Sequence, residues 1–298
     1  MASETLLLNA RSSLPAALQS WEIFLNDQGK SKHTLSAFSS DIKLLSSYLP
    51  ADQSIGSITT SDLNNFLAWM QNERGVPCSP KTLARRITST KAFFRWLQSK
   101  GVILGDPAEK VIQRSVLAPL PDVLQRRDMD HVLGIADRKA TQDPADLRYA
   151  TLVRLLLDTG IKKGETMNLK LNHVDLDAPN GAILFVRYPN PNHRYKERKI
   201  QVSENWVAKF HQYEDAYDLS KRLFPWSQRR LEYLLQDLGE EAGLNRQLSF
   251  LTCRWTCALN DMEDGLEAEK IRQKLGVSEI QWRELEMKLT RLLDERQE

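Results

Sequence analysis

Six of the twenty residues from Lys81 to Lys100 are basic and none is acidic. Cations at that density, with no carboxylate among them, are suited to holding phosphate groups. Smaller groups of charged side chains follow. Lys162 and Glu165 stand just after Gly160. His193, Arg194, Lys196, Glu197 and Arg198 lie between two apolar runs, and Arg254 sits in Leu251-Thr252-Cys253-Arg254-Trp255. The net charge of +2 hides an uneven division: residues 261–298 carry 11 acidic and 7 basic side chains, so the tail is −4 and the remainder +6. That distribution points to a polyanionic partner. The three cysteines (Cys78, Cys253 and Cys257) have neither disulfide nor zinc spacing. Cys253 and Cys257, one helical turn apart, read as core thiols, and no metal or cofactor is expected. No apolar run reaches the roughly 18 residues that span a membrane. Leu6-Leu7-Leu8 lacks the basic flank and length of a signal peptide. A cytoplasmic protein without a membrane partner is the expectation.

The elements that carry these residues can be read from periodicity and punctuation. Leu14 to Leu49 predicts two helices separated at Gly29, the first with Leu18, Trp21, Ile23, Phe24 and Leu25 on its apolar side and the second with Leu35, Phe38, Ile42, Leu45 and Tyr48. Thr59-Thr60-Ser61-Asp62 opens a third helix bearing Leu63, Phe66, Leu67 and Met70. Ser79 and Pro80 open a fourth. On it Leu83, Ile87, Thr90, Phe94 and Leu97 share one face, and Lys81, Arg85, Thr88, Ala92, Arg95 and Ser99 the other. The bland alternative is a core stripe backed by a solvated face; a solvated face normally mixes charge signs, so phosphate contact is favoured. Gly101 closes that helix, Asp106-Pro107 begins a short one, and Ser115 to Asp122, with Pro119 and Pro121, reads as an extended linker.

Beyond the linker, helices are expected around Asp130–Arg138 and Leu147–Leu157. The second ends at Gly160, where positive φ is needed, and a short helix follows with Glu165 and Leu169 on one face. Val174–Leu176, Ala182–Tyr188 and Arg198–Val202 read as strands of a small antiparallel sheet with a hairpin tip at Pro189–Lys196. Helices near Asn205–Asp215, Gln228–Ala242, Phe250–Asp264 and Glu267–Leu275, and a last one from Glu279, complete the chain. The fold class is mainly α, in two domains divided as residues 1–117 and 118–298.

The stretch DTGIKKGETMNLKLNHVDL, Asp158 to Leu176, resembles the first active-site block of the tyrosine recombinases (phage integrase family, Xer type). SPKTLARRITSTKAFFRWLQSKGVILGDPAEKV resembles the family's N-terminal, SAM-like core-binding domain, and LPDVLQRRDMDHVL the segment that opens its second domain. The resemblance runs through most of the chain, in order. It implies a DNA-binding protein of site-specific recombination or integration. Members attack a phosphodiester with a tyrosine, while arginines, a lysine and histidines (or a histidine and a tryptophan) neutralise charge and move protons.

The resemblance places different residues at most of those positions. Lys162 stands at the first arginine, keeping charge without the bidentate fork. His193 stands at the hairpin lysine, although YKERKIQV retains Lys196, Glu197 and Arg198. Leu251 replaces a histidine that handles protons. Arg254 is retained, either as a phosphate-binding group or as an ordinary buried ion-pair residue. Val277 replaces the histidine after Leu275-Gly276, and Glu286 falls at the nucleophile. The last tyrosine in the chain is Tyr233 and the last histidine His211, so no change of register supplies either group further on. The expectation is a pseudo-recombinase that clamps double-stranded DNA between its domains without cutting it. Its contacts would come from Lys32, Lys81, Arg85, Arg95, Arg194, Lys196 and Arg254. Self-association, or pairing with an active recombinase, would use the C-terminal helix. The alternatives are a divergent recombinase that borrows a partner's tyrosine, and a protein-interaction scaffold that has lost DNA binding.

Overall fold

The computed structural model describes residues 8–76, 78–112 and 119–297. The chain divides into two compact units between Pro119 and Leu120. In the first, α1 (Leu14–Asp27), α2 (Lys32–Tyr48), α3 (Thr60–Asn72) and α4 (Pro80–Ser99) form a bundle. A hydroxyl sets each helix start: the side chains of Ser13, Ser31, Thr59 and Ser79 accept from the amides of Ala16, Thr34, Asp62 and Thr82. Asp62 accepts the Thr59 N–H in return, closing a capping box. The core gathers Trp21, Ile42, Leu45, Phe66, Phe93 and Phe94. Trp21 stacks on Phe38 with centroids 5.9 Å apart and meets Phe93 edge-on at 5.2 Å.

Two local expectations change here. Ile23 is not on the core side of α1 but 54% exposed. Asp106-Pro107 does not begin a helix; the Asp106 carboxylate accepts the Ala108 N–H and the chain continues through tight turns. The first half of the expected linker, residues 115–118, lies outside the described residues. Residues 119–125 have no regular structure.

The second unit is built around one buried helix. It comprises α5 (Arg126–Thr141), α6 (Leu147–Thr159), α7 (Lys163–Met167), strands β1 (Val174–Asp175), β2 (Ile183–Val186) and β3 (Arg198–Gln201), then α8 (Glu204–Ala216), α9 (Gln228–Glu241), α10 (Phe250–Glu263), α11 (Ala268–Leu275) and α12 (Glu279–Gln297). Nine of the thirteen residues of α6 are buried, as a helix surrounded by α5, α8, α9 and α10 requires. It ends at Gly160, whose φ of +57° is left-handed. A Cβ there would also lie 2.9 Å from Leu275 Cδ2. Glycine is needed at this position both for the turn and for the close approach of α11.

The sheet is antiparallel in the order β1-β2-β3, with Leu184 opposite both Val174 and Ile200. Its strands are shorter than expected, and the connection from β2 to β3 is a 3₁₀ helix, Pro191–Lys196, rather than an open hairpin tip. The Asn190 side chain starts it by accepting the Asn192 N–H. At the end of the chain, α12 lays Trp282, Leu289 and Leu292 on Ala258, Leu259, Ile271 and Leu275 of α10 and α11. Arg296 fixes its far end, donating to Asn260, Glu263 and the Leu124 carbonyl. Among the described residues no helix is long and apolar enough to cross a membrane.

Candidate functional site

The site of the second unit is organised by one buried ion pair. Glu165, in the first turn of α7, accepts from the Arg198 guanidinium at 2.9 and 3.0 Å. It also accepts the Lys162 N–H at 2.8 Å and the Tyr188 hydroxyl. Burial alone would raise this carboxyl, but Arg198, the Lys162 amide and Tyr188 outweigh it and hold the group at about 2. Burial, together with hydrogen bonding to the carboxylate, pushes the Tyr188 phenol well up. Glu165 is thus a structural acceptor that fixes the turn after Gly160 against the start of β3.

Around that pair, cations converge on one helix end. Arg198 Nε donates to the Lys274 carbonyl at 2.6 Å. Arg254 donates to the Leu275 carbonyl at 2.7 Å and to the Gly160 carbonyl. Lys162 Nζ donates to the Gly276 carbonyl at 3.1 Å. These three successive carbonyls belong to the C-terminal end of α11, where unpaired oxygens concentrate partial negative charge. Burial and the nearby charge of Arg254 bring the Lys162 ammonium down to about 8. Burial brings Arg254 down to about 10. Arg254 therefore resolves into neither of its two expected roles alone: its partners are main-chain carbonyls, not a carboxylate.

Lys162 and Arg254 also face a cavity of about 690 Å³ between the α7 turn, α9 and the start of α10. Leu251 stands at its lip, 60% exposed. The other expected positions are scattered. His193 is exposed on the 3₁₀ helix, its ring edge-on to Tyr188 with centroids 5.9 Å apart. Val277 packs in the apolar cluster of α10, α11 and α12. Glu286 is half-buried on α12. Arg194 is exposed beside His193, and the half-buried Lys196 holds its ammonium over the Tyr195 ring at 5.2 Å. Cys253 and Cys257 are buried, and burial raises both thiols to about 12.

In the first unit Lys32, Lys81 and Arg95 are exposed. Arg85 is not free on the same face. Its Nη1 donates to the Ala37 carbonyl at 3.1 Å and to the buried carboxylate of Asp41, which also accepts from Ser89 and pairs with Arg86. Helical spacing put Arg85 beside Arg95, but α2 supplies a carboxylate that spacing along α4 cannot reveal. Arg198 and Tyr188 as partners of Glu165, and Arg229 and Tyr233 at the cavity wall, are not among the residues expected from sequence. Arg229 and Tyr233 stand four apart on α9, a same-face spacing that was the available signal.

The sequence model of the phage integrase family matches residues 122–283, and that of the phage integrase N-terminal SAM-like domain matches residues 18–101. The chain belongs to the phage integrase family. Within this family it is 24% identical over 282 residues to tyrosine recombinase XerD of Listeria innocua, covering 89% of this chain and 91% of that protein. It is 32% identical over 164 residues to tyrosine recombinase XerC of Mycobacterium tuberculosis, covering 54% of each. A lambda integrase dimer bound to a COC' core site has the integrase fold seen here, with a TM-score of 0.73 at 15% identity over 92% of this chain and 77% of that one. XerH bound to palindromic difH in a post-cleavage complex gives 0.73 at 14%, over 95% and 83%.

Proposed function

We propose that this integrase-family chain binds duplex DNA without cutting it. The observation that carries the reading is chemical: residues 234–298, which form the elements from most of α9 to α12, contain no tyrosine and no histidine. A nucleophilic phenol and a proton-handling imidazole are what strand cleavage of this type requires there. Glu286 offers a carboxylate instead, which repels a phosphodiester. The attachment of Lys162, Arg198 and Arg254 to the α11 carbonyls supports the same reading. The Arg198 and Arg254 side chains, both largely buried, brace the fold, whereas Lys162 and the exposed cations can still meet an incoming phosphate.

Support for DNA as the partner comes from the family, from relatives solved on DNA, and from the exposed cations Lys32, Lys81, Arg95 and Arg194, together with the half-buried Lys196. A partner recombinase would meet α12 on its exposed side or displace it, since its apolar stripe is covered within this chain. The test is a duplex nicked near the cleavage point, which traps a covalent protein–DNA species. The expected result is a salt-sensitive complex in a native gel and no shifted band under denaturing conditions. A covalent band from this protein alone would overturn the reading in favour of a divergent active recombinase. Absence of any complex at low salt would favour the scaffold.

A further inference from the structure

The cavity beside Lys162 is more than a phosphate seat. Four cations (Lys162, Lys163, Arg229 and Arg254) and one carboxylate, Glu232, line it. Its floor is apolar: Leu235, Leu248 and Phe250 are buried there. On its α9 wall the Arg229 guanidinium donates to the Tyr233 hydroxyl at 2.7 and 2.9 Å and lies 5.4 Å from the centre of the same ring. The ring is 40% exposed. A phosphate group alone would fill little of about 690 Å³ and would leave the apolar floor wet. Cavities of this size hold drug-sized molecules. The combination of cationic rim, aromatic wall and apolar floor matches a ligand that is anionic at one end and flat and aromatic at the other.

We propose that this cavity binds a nucleoside phosphate, with the base against the Arg229–Tyr233 platform and the phosphate between Lys162 and Lys163. Lys163 is held at 2.7 Å by Glu232. Both side chains are 41% exposed, and such a solvated pair is weak enough for a phosphate to share the ammonium. Gln236, on α9, and Gln247, in the loop before α10, also line the cavity. Stacking on an aromatic ring tolerates every base, because each has a π-face. The ligand is either a free nucleotide or an unpaired nucleotide in a DNA strand. The second source rests on the DNA-binding reading above; the first does not.

The experiment uses the full chain and three probes. These are a fully paired duplex, the same duplex with one unpaired 2-aminopurine nucleotide, and free 2-aminopurine deoxynucleoside monophosphate. Expected is quenching of 2-aminopurine fluorescence by the protein in at least one of the last two, the responding probe identifying the source. Tyr233→Ala should weaken that binding roughly tenfold or more, the usual worth of one stacked base, while Tyr233→Phe, which keeps the ring but frees Arg229, should weaken it less than Tyr233→Ala does. Lys163→Ala should weaken it as well. If the paired duplex binds but neither aminopurine probe is quenched, the cavity proposal falls and DNA binding stands. Quenching by the free nucleotide without duplex binding would do the reverse. Quenching indifferent to Tyr233→Ala also overturns the proposal.

Discussion

Replacing Glu165 by Gln should expose how much of the second unit rests on one ion pair. The Glu165 side chain is 2% exposed and that of Arg198 9%, so solvent screens the pair little. The Glu165 carboxyl is held at about 2, against an ordinary 4.5. A lowered folded pKa means stability that is present above 4.5 and lost as pH falls toward 2. At about 1.4 kcal/mol per unit, the contribution is roughly 3 kcal/mol at pH 6. Breaking a buried pair by removing one charge costs roughly 3–5 kcal/mol in other proteins, which agrees. Because glutamine stands in for the protonated acid, the gap between parent and variant should shrink to about 1.5 kcal/mol at pH 3. Urea denaturation of both proteins at pH 6, 5, 4 and 3, followed by tryptophan fluorescence, measures that gap, and titration of other carboxylates cancels in the difference. A variant as stable as the parent at pH 6, or a gap unchanged at pH 3, would refute the assignment of Glu165 as the charged acceptor of this site.

Lys81→Ala/Arg95→Ala should weaken DNA binding across sequences and flatten the salt dependence by about one unit of log–log slope per lost contact, read from binding isotherms at several salt concentrations. Arg85→Ala should instead lower the stability of the first unit by about 1–3 kcal/mol, because it strips a partner from buried Asp41; thermal melting separates the two outcomes. Since Lys162 loses its charge around pH 8 and arginine does not, the DNA affinity of the parent should fall relative to Lys162→Arg between pH 7 and 9, and a constant ratio would remove Lys162 from the interface. Glu286→Tyr alone should form no covalent adduct on the nicked duplex, because Leu251 and Val277 still offer nothing to move a proton and each missing electrostatic group typically costs ~10²–10³ in rate.

Much of the architecture was legible from local chemistry. Thr59 and Ser79 announce helix starts because their hydroxyls satisfy amides within three residues, an interaction that needs no tertiary partner. Gly160 announces its turn for the same reason: its conformation is a property of one residue. The absence of tyrosine and histidine after residue 233 is a fact of sequence that no fold can alter. The tertiary structure decided which cations are free. Asp41 lies 44 residues from Arg85, and Glu165 lies 33 from Arg198; packing of α2 on α4, and of α7 against β3, makes those pairs. Carbonyl groups carry no sequence signal at all, so the attachment of Arg254 to Gly160 and Leu275 could be found only in three dimensions. The cavity walled by Lys162, Tyr233 and Phe250 exists for the same reason, since its lining comes from three elements that only the fold brings together.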